Sequence, residues 1–173
     1  MMANSKRETE EIYTEYMETP FGVLEIVCSD RALKRLDIVR GLEDMSQEKI
    51  NSKARQNHMT EQTKGQLQDY FRGERKTFDL ELDPDGTAFQ KRVWQSLLEI
   101  PYGETISYKT LAEWTGNGNG SRAVGHANSK NPIMIVIPCH RVIGANGKLT
   151  GYAGGLEVKA WLLQHEHVIL PIG

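Results

Sequence analysis

Residues 133–144 read Ile133-Met134-Ile135-Val136-Ile137-Pro138-Cys139-His140-Arg141-Val142-Ile143-Gly144. Five apolar residues run into a proline, which fixes its own φ and biases Ile137 away from helix. Cys139 is therefore expected at the end of a buried stretch, on a stiff bend. Burial makes a thiol harder to ionise than its ordinary pKa of roughly 8.5, so reactivity would require a nearby base or positive charge. His140 and Arg141 are adjacent, but neighbours in an extended chain point apart, and a Cys139–His140 link would need a water or a bend. His165 and Glu166 close a helix expected from Leu156 to Glu166, with Leu156, Leu163 and Trp161 on its buried side. A Glu carboxylate against the far nitrogen of His140 would fix the tautomer and let the near nitrogen accept the thiol proton. Two readings stay open on these residues alone: a Cys/His/Glu nucleophilic centre, or a structural Cys139 beside a surface His140.

Upstream, Thr87 is placed to cap a helix whose apolar residues Phe89, Val93, Trp94, Leu97 and Leu98 recur at three and four, ending before Pro101. Ser107 is placed to cap a short helix through Leu111, Ala112 and Trp114. Gly116-Asn117-Gly118-Asn119-Gly120 makes a turn, and Ser121 is expected to cap a third helix over Arg122 to Asn128. The outline is that of a helix-turn-helix, though an ordinary helical hairpin has the same periodicity. Arg122 favours the former, because a basic side chain and free backbone N–H groups meet at that helix start, where a phosphate could bind.

Toward the N-terminus, Ile12 to Tyr16, Val23 to Cys28 and Ala32 to Val39 read as an antiparallel meander with Cys28 buried as a structural thiol. Residues 41–57 are polar and uninformative. From Thr60, the spacing of Thr63, Leu67, Tyr70 and Phe71 suits a helix stopped near Gly73, and Phe78 to Leu82 alternates like a short strand. Asp83-Pro84-Asp85-Gly86 is a turn at which composition and charge both change, so the domain boundary falls there: 1–86 and 87–173. The first part carries 13 basic and 18 acidic residues and the second 8 against 5, within a formal charge of -2. A nucleic-acid partner would thus face the second part.

Two cysteines provide neither a disulfide framework nor thiolate zinc ligands, and a reducing, cytoplasmic home is expected. No segment approaches the roughly 20 apolar residues of a spanning helix, so no membrane association is expected.

The Pro138-Cys139-His140-Arg141-Val142-Ile143-Gly144 core is followed by Gly151-Tyr152-Ala153-Gly154-Gly155-Leu156 and Lys159-Ala160-Trp161-Leu162-Leu163. Together with Pro101 to Tyr108 and Ser121 to Gly125, this pattern resembles the methylated-DNA–protein-cysteine methyltransferases, also called O6-alkylguanine-DNA alkyltransferases. The resemblance covers roughly 87–170; the first half matches only in layout. It implies an α/β fold: a small N-terminal α/β domain with an antiparallel sheet, and a mostly helical C-terminal domain carrying a winged helix-turn-helix. The implied activity is direct, irreversible and stoichiometric transfer of a methyl or small alkyl group from O6 of guanine to Cys139, without a cofactor. Alkyl-size preference and repair of O4-alkylthymine stay open.

By the same resemblance, His140, an ordered water and Glu166 draw off the Cys139 proton, Asn131 supports the active-site bend, and Tyr108 donates toward N3 of the leaving guanine. Tyr152, Ala153 and Gly154 close over the base, Arg122 fills the space of the extruded nucleotide, and Ser121 and Arg141 belong to the substrate side. Ala153 stands where some relatives have Ser. The implied partner is double-stranded DNA containing O6-alkylguanine, bound through the minor groove by a monomer. Some relatives hold zinc near the N-terminus, but Cys28 and His58 are the only Cys and His in that half, so no metal is expected. Two other classes stand against this reading: a lesion-sensing DNA-binding module, which would lack the acceptor cysteine, and a thiol hydrolase, which would turn over without DNA.

Overall fold

The computed structural model describes residues 10–39, 55–116, 120–152 and 154–169. Three strands, β1 (Tyr13–Thr19), β2 (Gly22–Cys28) and β3 (Leu33–Ile38), form an antiparallel meander in that order. Alternation puts Leu24, Ile26 and Cys28 on the covered face, and a register shift at Val27/Cys28 brings Leu33 as well as Leu36 opposite them, all five fully buried. Helix α1 (His58–Phe71) lies across that face, contributing Met59, Thr63, Leu67 and Tyr70. It opens two residues before Thr60 on a reciprocal capping box between Asn57 and Thr60, and Gly73, at φ 76, follows its end. Cys28 is buried as expected, its sulfur 3.9 Å from Thr63 Oγ1.

The expected strand at Phe78–Leu82 is not formed. Only Leu82 bridges, in parallel with Leu33, through Leu33 N to Glu81 O (2.8 Å) and Asp83 N to Leu33 O (2.9 Å). Side-chain amides replace the missing ladder: Gln66 accepts from Asp79 N at 2.9 Å, while Gln66 and Gln62 both donate to Asp79 O. Alternation at Phe78 and Leu80 therefore reports packing against the core without a strand.

In the second half, α2 (Ala88–Leu97) starts on a Thr87/Gln90 capping box and buries Val93, Trp94 and Leu97. A two-residue strand, β4 (Ile106–Ser107), leads into α3 (Tyr108–Trp114), with the Ser107 hydroxyl accepting from Thr110 N. Helix α4 (Ser121–Ser129) packs on both α2 and α3, and α3 and α4 form the helix-turn-helix pair. Ser121 does not cap α4. The cap position is Gly120, without a side-chain bond, and Ser121 is the first helical residue. Of the expected turn, 117–119 lie outside the described residues, as do 41–54 of the polar segment. After the apolar run, β5 (Val142–Ile143) pairs in parallel with β4, and α5 (Leu156–His165) is the last regular element among the described residues.

One hydrophobic core spans both halves. β3 and the run before the cysteine are joined by main-chain bonds, Leu36 N to Pro132 O (2.9 Å) and Met134 N to Leu36 O (3.0 Å). Phe21, Phe71 and Trp161 add an aromatic contact from the sheet and α1 to α5. Trp94 Nε1 donates to Ala127 O at 2.8 Å, locking α2 to α4. Among the described residues, no helix is long and apolar enough to cross a membrane.

Candidate active site

Pro138, at φ -82 and ψ 62, turns the chain into a single 3-10 turn, Cys139–Arg141, followed by Val142 N donating to Cys139 O. The segment is thus not extended. At three residues per turn, successive side chains fan about 120° apart instead of alternating across a strand. All three are buried: Cys139 is 5% exposed, His140 0% and Arg141 6%.

His140 and Arg141 converge on one carboxylate. His140 Nε2 lies 2.7 Å from Glu166 Oε2, and Arg141 Nε donates to Glu166 Oε1 at 2.7 Å. Arg141 Nη1 also donates to Ile100 O at 2.7 Å, so the guanidinium placed on the substrate side by resemblance is engaged inside the protein. Tyr70, from α1, donates its hydroxyl to Glu166 Oε2 at 2.6 Å. His165, the other imidazole considered, faces away: it stacks on Trp161 and its Nε2 is 2.7 Å from Tyr70 O.

Burial alone would raise the Glu166 carboxyl, but the hydrogen bonds from His140 and Arg141 and the charge on Arg141 outweigh it and hold the pKa at about 2. Burial pushes His140 down, only partly countered by Glu166. A neutral ring facing an ionised carboxylate carries its proton on Nε2, which leaves the Nδ1 lone pair as acceptor. Nδ1 is buried and has no hydrogen-bond partner among the described residues. Burial pushes the Cys139 thiol up to about 11, against the Asn131 amide and the positive charge of Lys159, which favour the thiolate.

Asn131 brackets the bend: Nδ2 donates to Ile137 O at 2.8 Å and Oδ1 accepts from Ile133 N at 3.0 Å. Asn128, at the far end of α4, donates to Cys139 O at 3.4 Å. At the opposite end of that helix, Ser121 and Arg122 are exposed, so one rigid element runs from surface to cysteine. Lys159 is wholly buried on α5, donating to Val142 O (2.6 Å) and Thr150 O (2.9 Å), and burial lowers its pKa to about 8.

The Tyr108 hydroxyl donates to the same Thr150 carbonyl at 3.1 Å. The Tyr152 hydroxyl is buried without a hydrogen-bond partner among the described residues, and burial, then the charge on Cys139, push its pKa well above normal. Gly154 packs against it: a Cβ there would lie 2.9 Å from Tyr152 Cε1 and 3.4 Å from Ile38 Cδ1. Ala153 lies outside the described residues. Sequence reasoning missed Tyr70, Lys159 and Asn128 as site groups. Lys159 alone left a signal, a charge one turn before the buried Leu162 and Leu163, whereas Leu156, expected on the same buried side, is exposed; Tyr70 passed as a core aromatic.

The chain thus carries a buried cysteine next in sequence to a His140–Glu166 pair, together with a two-helix unit, and comparison with known proteins finds relatives along most of its length. Residues 12–84 match the family model described as 6-O-methylguanine DNA methyltransferase, ribonuclease-like domain, and 88–168 match that of its DNA binding domain. A methylated-DNA–protein-cysteine methyltransferase of Methanosarcina acetivorans is 46% identical over 90% of this chain and 98% of its own length. The constitutive one of Bacillus subtilis is 44% identical over 90% and 96%. The crystal structure of the Mycobacterium tuberculosis O6-methylguanine methyltransferase superposes with a TM-score of 0.77 at 44% identity, covering 90% of this chain and 93% of that one. The same protein in complex with DNA gives 0.77 at 44% identity, over 88% and 91%. With sequence and fold in agreement along nearly the whole length, the chain belongs to the methylated-DNA–protein-cysteine methyltransferase family.

Proposed function

We propose that this chain repairs DNA by moving an alkyl group from O6 of guanine onto Cys139, once per molecule. The observation that carries the proposal is the 2.7 Å contact between His140 Nε2 and the ionised Glu166, which directs a buried, unpartnered Nδ1 lone pair toward proton uptake. Through one bridging water, Nδ1 takes the thiol proton as the sulfur attacks the alkyl carbon. The S–C bond forms, the O6–C bond breaks, and the electron pair leaves with guanine. Tyr108 shifts its hydroxyl from Thr150 O to N3 of the departing base and protonates it; His140 resupplies the proton, so the thiol hydrogen ends on guanine. The thioether offers water no carbonyl-like centre, so the protein is consumed.

Cys139 is 5% exposed, so the lesion base has to leave the stack to reach it. We assign Arg122 to the gap it leaves, Ser121 to the adjoining phosphate, and Tyr152 with Ala153 and Gly154 to the closure over the base. Asn131 holds the bend. Arg141 is assigned to Glu166 and Ile100 instead of the substrate. The partner is double-stranded DNA entered from the minor groove by α4, and one chain suffices. The functional division is 1–86 and 87–173, and a free acceptor thiol suits a reducing, cytoplasmic setting.

The test mixes known amounts of protein and O6-methylguanine DNA, then counts methyl groups on the intact protein and its peptides. One group per chain on Cys139, and none in Cys139→Ala, is the expected result. DNA binding with an unmodified Cys139 would show a lesion sensor; continued turnover of a thioester without DNA would show a hydrolase.

A further inference from the structure

The proton-accepting cluster is completed from the other half of the chain. Tyr70, in the last turn of α1, is fully buried, and its hydroxyl reaches the same oxygen, Glu166 Oε2, that His140 contacts. Its ring is held by Phe71, Phe78, Tyr102 and His165 at centroid distances of 5.0–6.4 Å. Its carbonyl lies 2.7 Å from His165 Nε2, so main chain and side chain are both tied to the C-terminal segment.

We propose that Tyr70 is a positioning residue for alkyl transfer: by occupying Glu166 Oε2 it fixes the carboxylate rotamer and keeps the Nε2 proton on a neutral His140. This rests on the transfer reading above and gives the N-terminal half a part in it. A phenol buried beside an anion does not ionise, so Tyr70 is a permanent donor. An oxygen already receiving that bond holds an imidazolium less tightly. The other groups facing the pair are Arg141 from the 3-10 turn and Lys159 from α5, whose charges both push His140 down, and Tyr102 and Tyr152, which both feel the charge on Glu166. Without the Tyr70 hydroxyl, Oε2 is left to His140 alone. The charged pair gains, the His140 pKa rises, and fewer molecules present a free Nδ1 near neutral pH.

The experiment measures single-turnover methyl transfer from O6-methylguanine DNA across pH for the wild-type chain, Tyr70→Phe and Phe78→Leu, with thermal midpoints and the His140 ring 15N signals. Phe keeps the ring packing, whereas Phe78→Leu loosens the same aromatic cluster and leaves every hydrogen bond to Glu166. The expected result is an acid limb moved up by about one pH unit in Tyr70→Phe, the size of one hydrogen bond to a charged group, with the His140 titration moving alike. Phe78→Leu keeps the wild-type limb despite a lower midpoint. The inference is overturned if the Tyr70→Phe profile superimposes on the wild type, or if both variants shift together. A wild-type chain that fails to methylate Cys139 would instead overturn the transfer reading.

Discussion

Lys159 Nζ sits 2.6 Å from the carbonyl of Val142, and its second bond, to Thr150 O, joins the two ends of the 142–150 segment to α5. Burial lowers this lysine to about 8, so between that value and the unfolded pKa, roughly 10.4, the unfolded chain binds more protons. Lys159 therefore adds stability as pH rises through that window. Below about 8 its desolvation cost is fully present. Lys159→Met should abolish this component in urea unfolding at pH 7, 8.5 and 10, and should slow methyl transfer as Cys139 loses a favourable charge. An unchanged pH slope in the variant would remove the lysine from the account.

Glu166 gives the opposite sign. Its pKa of about 2 lies below the ordinary carboxylate value, so its contribution is present above roughly 4.3 and is lost as pH falls toward 2. Glu166→Gln leaves His140 and Arg141 without their anion and should cost about 3–5 kcal/mol at pH 7 while flattening the acid slope. Chemical denaturation from pH 7 to 3 checks both.

Gly154 is set by its neighbours. A methyl group at 2.9 Å from the half-buried Tyr152 ring cannot be accepted without displacing it. Gly154→Ala should lower the transfer rate by roughly tenfold, through misplacement of the wall over the base, with DNA affinity little changed. Rates for methyl and benzyl lesions measured side by side, with binding followed separately, would show this. Equal loss of binding and rate would place Gly154 in the DNA surface.

Arg141→Met keeps much of the side-chain volume but removes the bonds to Glu166 and Ile100 O. It should destabilise the protein by about 3 kcal/mol or more, as a buried ion loses its partner, and leave the affinity of the remaining folded protein for undamaged DNA as it was. A salt-dependent loss of DNA affinity would return Arg141 to the substrate side.

Most of the fold is readable where side chains repeat with a clear period. The meander, α1, α2 and α5 follow from alternation or from three-and-four spacing, and the caps of α2 at Thr87 and of α3 at Ser107 form as those residue types dictate. Local reading fails where a distant group satisfies the backbone. Phe78–Leu82 alternates, yet the main-chain groups of Asp79 bond to Gln62 and Gln66 instead of a neighbouring strand. Ser121 looks like a cap because Ser usually is one, but Gly120 takes that position. At the site, residue chemistry makes Cys139, His140 and Glu166 candidates but leaves a surface His140 open, and only the fold buries that ring against Glu166. Tyr70 is not among the candidates, because a hydroxyl on an apolar helix face is invisible until the residue 96 positions away arrives beside it.

The pairing of Leu36 with Pro132 and Met134 also bears on how the chain is made. As synthesis proceeds, the first three strands leave the ribosome long before their last edge partner exists, so β3 waits with unpaired backbone groups exposed to other nascent chains. The piece that covers this edge is the one that delivers Cys139 a few residues later. Seating the nucleophile and sealing the sheet are thus a single late folding event, and a translation product truncated before 132 would keep a sticky edge and never possess an alkyl acceptor.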